Sequence, residues 1–325
     1  MKIKLYCVIV SLYVLLLSFS VRAVEQLNFS SFTPEDYAEI LNGKYKNKPV
    51  QLRGFFTHPK PGTKVPAVVI VPGSGGYAEW MQTTVAKPLN DAGVATLIID
   101  SFSGRGVGDT ASDQGRVPMS ASVMDGFQAL NMLAQRNDIE PKRIGVTGFS
   151  RGGVVSMFTA ERRLQEVINP QGQQFAAHLP FYPGCSTQWM SPQPSKAPIK
   201  FLLGEKDDMT PAAVCVGYID RLLKLGAKAS YTIYPGAHHA WTADYAQSRS
   251  NTVQTFGNCD LKIDNDGEIK DMKSGATTRE GWRTFVGKVI QSCGGTGATL
   301  GANAQAREAS IADMVAFFKQ NLFSK

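Results

Sequence analysis

Arg143-Ile144-Gly145-Val146-Thr147-Gly148-Phe149-Ser150-Arg151-Gly152-Gly153-Val154 is the stretch on which the fold turns. Its first part is apolar and β-branched, as a buried strand requires, and its last part opens a helix-like segment that runs to about residue 168. Between them lies Gly148-Phe149-Ser150-Arg151-Gly152. A Gly-x-Ser-x-Gly run is a weak signal alone. Directly after a strand and directly before a helix, it has the context of a sharp turn that lifts a serine above the end of a sheet.

Outward from this turn, short apolar runs alternate with longer helix-like stretches. The strands are predicted at Ala67-Val68-Val69-Ile70-Val71, Val94-Ala95-Thr96-Leu97-Ile98-Ile99, Ile199-Lys200-Phe201-Leu202-Leu203 and Ala229-Ser230-Tyr231-Thr232-Ile233-Tyr234. Such runs fit parallel strands buried on both faces. Helices are predicted near 77–92, 118–136, 151–168 and 211–226, the last bracketed by Pro211 and Gly226 as start and stop signals. The alternation predicts an α/β protein with a mostly parallel central sheet flanked by helices on both faces. Residues 50–57 alternate and precede Pro59 and Pro61, so an antiparallel strand is expected at the start of the sheet. Residues 304–322, with Ile311, Met314, Val315, Phe317, Phe318 and Leu322 apolar, predict a closing amphipathic helix. Residues 242–300 are polar and Gly-rich, and we read them as an insertion into one domain spanning 24–325 rather than as a second core.

The chain opens with Lys2 and Lys4, then an apolar run over residues 5–19, then Val21-Arg22-Ala23. This is the layout of a secretory signal peptide over residues 1–23, and the run is shorter than the roughly 20 residues a membrane-spanning helix needs. Cys7 lies inside it without the small-residue setting of a lipid-attachment site. Export to the periplasm or the medium is therefore expected, with no stable membrane insertion after cleavage. The net charge of +7 includes Lys2, Lys4 and Arg22, so it falls by three to +4 without the leader. No dense basic block tracks phosphates, which argues against a nucleic-acid partner.

Four cysteines remain: Cys185, Cys215, Cys259 and Cys293. Four allow three pairings, and in an exported chain we favour Cys185 with Cys215 and Cys259 with Cys293, since each pair closes a loop within one region. Free thiols are the alternative. No two lie at the short spacing of a zinc knuckle, and no metal is expected. Asp264-Asn265-Asp266-Gly267 has the look of a calcium loop, but in EF-hand register Lys262 and Lys273 would take ligand positions and repel the ion. His58 and His178 have no metal-like partners and read as surface or core residues.

A serine hydroxyl needs a base within hydrogen-bond reach and an acid to fix that base's tautomer. Gly204-Glu205-Lys206-Asp207-Asp208-Met209-Thr210-Pro211 follows one predicted strand, and Tyr234-Pro235-Gly236-Ala237-His238-His239-Ala240-Trp241 follows the next. Both fall at the carboxyl ends of strands, where open α/β sheets carry their sites. Asp207 is the preferred acid, with Asp208, alone or together with Glu205, read as a cap for the following helix. His239, which precedes a small residue and an aromatic, is preferred over His238. Transition-state charge calls for two backbone N–H donors, expected from Arg151 at the helix start and from Ser74 in Pro72-Gly73-Ser74-Gly75-Gly76. That loop lacks the Lys-Ser/Thr of a P-loop and the spacing of a dinucleotide site. Trp189 and Trp241 are candidates to line an apolar pocket, with plain packing as the alternative.

Five segments together resemble the dienelactone hydrolase family: residues 65–76, the run Asp100-Ser101-Phe102-Ser103-Gly104-Arg105-Gly106, the serine turn, the 204–211 block with Cys215, and the 234–241 block. The resemblance covers roughly residues 50–241 plus the final helix. It implies an α/β-hydrolase fold, a small-molecule ester, lactone or related acyl substrate, and no metal or other cofactor. It also matches Arg105 to the family's Arg-Gly pair, where it borders the acyl pocket or forms a structural ion pair. Two departures stand out. The founding enzymes use a cysteine nucleophile where this chain has Ser150, so lactone specificity is not carried over, and Pro72 stands where many relatives have histidine. The reading is a serine esterase with Ser150, Asp207 and His239. A peptidase or acyltransferase on the same fold, and a catalytically inactive binding protein, are the alternatives.

Overall fold

The computed structural model describes residues 23–323, so the expected leader apart from Ala23, with Cys7, lies outside the described residues. An eight-stranded sheet forms the centre, built from β1 (Val24–Phe32), β2 (Pro49–Thr57), β3 (Val65–Val71), β4 (Ala95–Asp100), β5 (Ile139–Phe149), β6 (Ala177–Phe181), β8 (Ile199–Gly204) and β9 (Ala229–Tyr234). Their order is β1-β2-β4-β3-β5-β6-β8-β9. Strands β3 to β9 of this sheet run parallel, while β2 pairs antiparallel with β1 and β4. β3, β4, β6 and the second half of β5 are buried, because helices cover both faces.

Those helices are α1 (Tyr37–Leu41), α2 (Lys87–Asp91), α3 (Met119–Ala134), α4 (Arg151–Phe158), α5 (Arg162–Ile168), α6 (Ala212–Lys224), α7 (Trp282–Ser292) and α8 (Ala304–Phe323). One core holds α3, α4 and α6 against one face, and a second holds α2 and α8 against the other. The closing helix thus packs on the sheet as its amphipathic pattern predicts.

Four features differ from the sequence expectations. The strand at residues 50–57 is antiparallel as expected, but a further strand, β1, lies outside it at the edge. β6 reads Ala-His-Leu-Pro-Phe, and Pro180 removes a ladder donor from a central strand, which hides the strand from its sequence. The helix expected over 151–168 is two helices, broken where Glu161 turns its carboxylate onto Arg163 and the Gln193 amide. Finally, β9 is a sheet edge with Tyr231 and Ile233 exposed, not a strand buried on both faces.

The Gly-rich stretch 242–300 carries regular structure. β10 (Ser248–Thr255) pairs with β13 (Gly295–Leu300), and β11 (Leu261–Ile263) joins β12 (Ile269–Asp271) to β7 (Thr187–Trp189). Its apolar side chains, among them Ile263, Phe285 and Val289, belong to the same core as α3, α4 and α6. Disulfides join Cys185 to Cys215 and Cys259 to Cys293. The first fastens the loop after β6 to α6, and the second closes the insertion on itself. Asp264-Asn265-Asp266-Gly267 is the turn between β11 and β12, with the Asp264 carboxylate accepting from the Asp266 and Glu268 amides.

His178 on β6 is fully buried, and its Nδ1–H donates to the Ser156 carbonyl at 3.1 Å. Burial lowers its pKa from the ordinary 6.5 to about 4. The native state therefore holds it neutral, and the stability this contributes is complete above pH 6.5 and lost as pH falls toward 4. We expect urea melts to show a loss of about 3 kcal/mol across that window, and His178→Gln to remove that share of the acid sensitivity.

Candidate active site

β5 ends at Phe149 and α4 begins at Arg151, leaving Ser150 alone to reverse the chain. It does so at φ 55°, ψ −112°, a conformation an L residue holds only under constraint. The constraint is steric: a Cβ on Gly148 would strike the Gly152 carbonyl, and one on Gly152 would strike the carbonyl of Val71 at the end of β3. The Ser150 amide donates to Phe181 of β6 at 3.0 Å, fixing the turn across the sheet. Among the described residues, the other non-glycine residues at positive φ are Tyr182 and Ala240, and both adjoin the same site.

The hydroxyl so raised meets His239. Ser150 Oγ lies 2.8 Å from His239 Nε2, and His239 Nδ1 lies 2.8 Å from Asp207 Oδ2. An ionised carboxylate only accepts, so Nδ1 carries the proton and Nε2 is left to accept from the serine. Burial by itself would raise the Asp207 pKa, but His239 and the donors around the carboxylate outweigh it and hold it below the ordinary carboxylate value. Those donors are the Met209 and Thr210 amides on Oδ1, at 3.0 and 2.8 Å, and the Thr210 hydroxyl on Oδ2 at 2.9 Å. Thr210 escaped the sequence reading, although a hydroxyl three residues beyond the acid is the signal that finds it.

The alternatives within each block serve other ends. Asp208 accepts from the Thr299 amide at 2.9 Å and from Arg249, tying the insertion down. Glu205 takes the Gly236 amide, and the start of α6 has no side-chain cap. The loop carrying His239 is backed by Trp241, whose ring packs on Tyr182 and whose Nε1–H donates to Ser310 of α8 at 3.0 Å.

At three candidate pocket residues the structure shows the alternative role, an ion pair or packing. Arg105 makes a bidentate pair with Asp125 at 2.8 and 2.9 Å and also holds the Phe32 and Ser101 carbonyls, so it is a buried tie between β1 and α3. Trp189 lies in β7 beneath the Arg163 guanidinium, and Trp241 is spent on the histidine loop; both are fully buried and neither reaches the cavity. Ser74 and Arg151 do line the cavity beside Ser150. The Ser74 carbonyl accepts from Thr110, and its hydroxyl and Arg151 Nη1 both donate to Gln114 Oε1. The Arg151 amide stands at the first position of α4, where no intrahelical acceptor exists.

The cavity measures about 150 Å³. Val154 and Cys185 line it, and residues 242–300 contribute Phe256, Leu261, Phe285 and Val289. The stretch that reads as polar in sequence thus supplies much of an apolar wall. Its apolar residues are too widely spaced to form a run, so periodicity could not find them.

A family model described as the dienelactone hydrolase family matches residues 52–322. Protein usf of Aquifex pyrophilus is 25% identical over 207 residues, covering 61% of this chain and 85% of that protein. A Klebsiella pneumoniae subsp. pneumoniae MGH 78578 protein assigned to the dienelactone hydrolases superposes with a TM-score of 0.55 at 16% identity, covering 91% of this chain and 99% of that one. A dienelactone hydrolase-like promiscuous phosphotriesterase from metagenomic libraries superposes with a TM-score of 0.53 at 15% identity, covering 91% and 98%. With the family match, these likenesses identify the architecture as the α/β-hydrolase fold.

Thr210→Val removes a donor from a buried carboxylate, a bond worth about 1.5–3 kcal/mol. Because Asp207 is held below the ordinary carboxylate value, that contribution is present at neutral pH and is lost only as pH falls through the depressed pKa of the folded state. Denaturant melts at pH 7 should show the variant weaker by that amount, and the gap should narrow as the pH is lowered through that acid range.

Proposed function

This chain belongs to the dienelactone hydrolase family and hydrolyses ester bonds, and from that premise we propose that it works by acyl transfer through Ser150. Ser150 Oγ attacks the ester carbonyl carbon while its proton passes to His239 Nε2. The tetrahedral intermediate collapses, and the C–O bond to the alcohol breaks as His239 returns the proton to the leaving oxygen. Water then repeats the sequence on the acyl-enzyme, releasing the acid and restoring Ser150. Asp207 keeps the imidazole in the tautomer that accepts from serine and stabilises the cation formed in each step. The Arg151 and Ser74 amides are the donors for the oxyanion, at a helix start whose dipole favours negative charge.

The observation that carries this reading is the unbroken relay from Ser150 through His239 to Asp207, with 2.8 Å at each contact. The serine substitution for the founding family's cysteine leans on it further, since a hydroxyl needs a stronger base than a thiol does. The substrate is a small ester whose apolar part fits the cavity beside Ser150. Two disulfides and the leader-like first residues support an exported, oxidising location.

Ser150→Ala is the test. Turnover of p-nitrophenyl acetate should fall at least about 10⁴-fold, with Tm unchanged and fluorophosphonate labelling confined to the parent protein. Full turnover by the variant would overturn the reading.

A further inference from the structure

We propose that two copies of this chain associate through the free edge of β9, antiparallel about a two-fold axis at Tyr231, so that two eight-stranded sheets join into one. The occupant of the edge is a second copy of the same chain.

The pairing of β9 with β8 shows which backbone groups are left over. The Ile199 amide donates to the Lys228 carbonyl at 3.0 Å, and the Glu205 amide donates to the Tyr234 carbonyl at 3.1 Å. Backbone groups alternate sides along a strand, so those of Ser230, Thr232 and Tyr234 face β8 while those of Ala229, Tyr231 and Ile233 face outward. Among the described residues no hydrogen bond reaches that outward row. Edge strands are ordinarily blunted by a charged residue, a proline or a bulge. β9 has none of these: Ala229–Tyr234 carries no charge and no proline, and its register with β8 is unbroken.

Symmetry selects the partner. In a two-fold contact residue i meets j and j meets i. With the axis at Tyr231, Tyr231 meets the partner's Tyr231 and Ala229 meets the partner's Ile233, so every outward N–H finds an outward C=O. Ala229, Tyr231 and Ile233 lie on the face toward α6, where each isoleucine then stands beside an alanine. On the opposite face Ser230 meets the partner's Thr232, a favourable hydroxyl pair.

Charge and apolar surface follow the same register. Lys228, one residue before β9, is exposed and has no carboxylate partner among the described residues. In this pairing it stands opposite the partner's Tyr234, whose hydroxyl donates to the Asp313 carboxylate of α8 at 2.6 Å. Each lysine therefore comes beside an acid of the other copy. Ten large apolar side chains are exposed among the described residues, and four of them, Leu223, Leu225, Tyr231 and Ile233, fall in this one stretch of chain. Such a gathering of apolar surface marks a contact.

Sedimentation velocity on the purified protein over a concentration series should show a species of twice the chain mass. Tyr231→Lys sets two ammonium groups side by side on the axis and should weaken association at least about tenfold, with the far-UV circular dichroism spectrum unchanged. Tyr231→Cys tests the register: Cα atoms of a hydrogen-bonded antiparallel pair lie about 5.5 Å apart, within disulfide reach, so copper phenanthroline should convert this variant to a covalent dimer. Thr232→Cys would face its own copy only diagonally, at about 7–8 Å, and should stay uncross-linked. A protein that is monomeric at every concentration, a dimer that Tyr231→Lys leaves intact, or cross-linking of Thr232→Cys in place of Tyr231→Cys would overturn the proposal.

Discussion

The close approach of backbone at the end of β5 governs the rest of the molecule. Strand β3, the serine turn and the first turn of α4 meet with no room for side chains at Gly148 and Gly152. That crowding is what drives Ser150 into a strained backbone conformation and lifts its hydroxyl out of the sheet. The strain is supported by neighbours: the Ser150 amide is anchored on β6, and the residue after β6, Tyr182, presents its ring to His239 with centroids 4.9 Å apart. Ser150, His239 and the ring behind the imidazole are thus set by one packing event at one rim of the sheet.

How much of this could be read from sequence followed from how local each signal is. The serine turn, the aspartate block and the histidine block each sit directly after a strand and carry their own punctuation, so the convergence of Ser150, Asp207 and His239 was legible from short windows. β6 was not, because Pro180 and His178 contradict its strand character, and only its neighbours on both sides compel it. β1 was hidden for a different reason: it is mostly exposed and pairs only with β2, so it lacks a continuous apolar run. Arg105, Trp189 and Trp241 show the same limit. Their residue types fit a pocket wall and an ion pair or plain packing equally well, and the fold spends them on an ion pair, a cation–π stack and a loop buttress.

The insertion changes the character of the site. Leu261 of β11, Phe285, Val286 and Val289 of α7, and Phe256 just after β10 add apolar side chains to the cavity beside Ser150. Gln254 accepts from the Gln114 amide at 2.8 Å, and Gln114 in turn contacts Ser74 and Arg151. Gln114 thus joins residues 242–300 to the loop carrying Ser74 and to the start of α4 by hydrogen bonds.

The cavity also joins distant parts of the polypeptide. One wall comes from α1 near the amino end and another from α7 near the carboxyl end, with the turn at Gly267 pressed against the first. Contacts of such long sequence separation form late, because their loop-closure entropy must be met before they reward the chain. A nascent chain that has already arranged its parallel strands still lacks a binding chamber. The chamber thus needs both segments in place, and a fragment without either one would lack part of its wall.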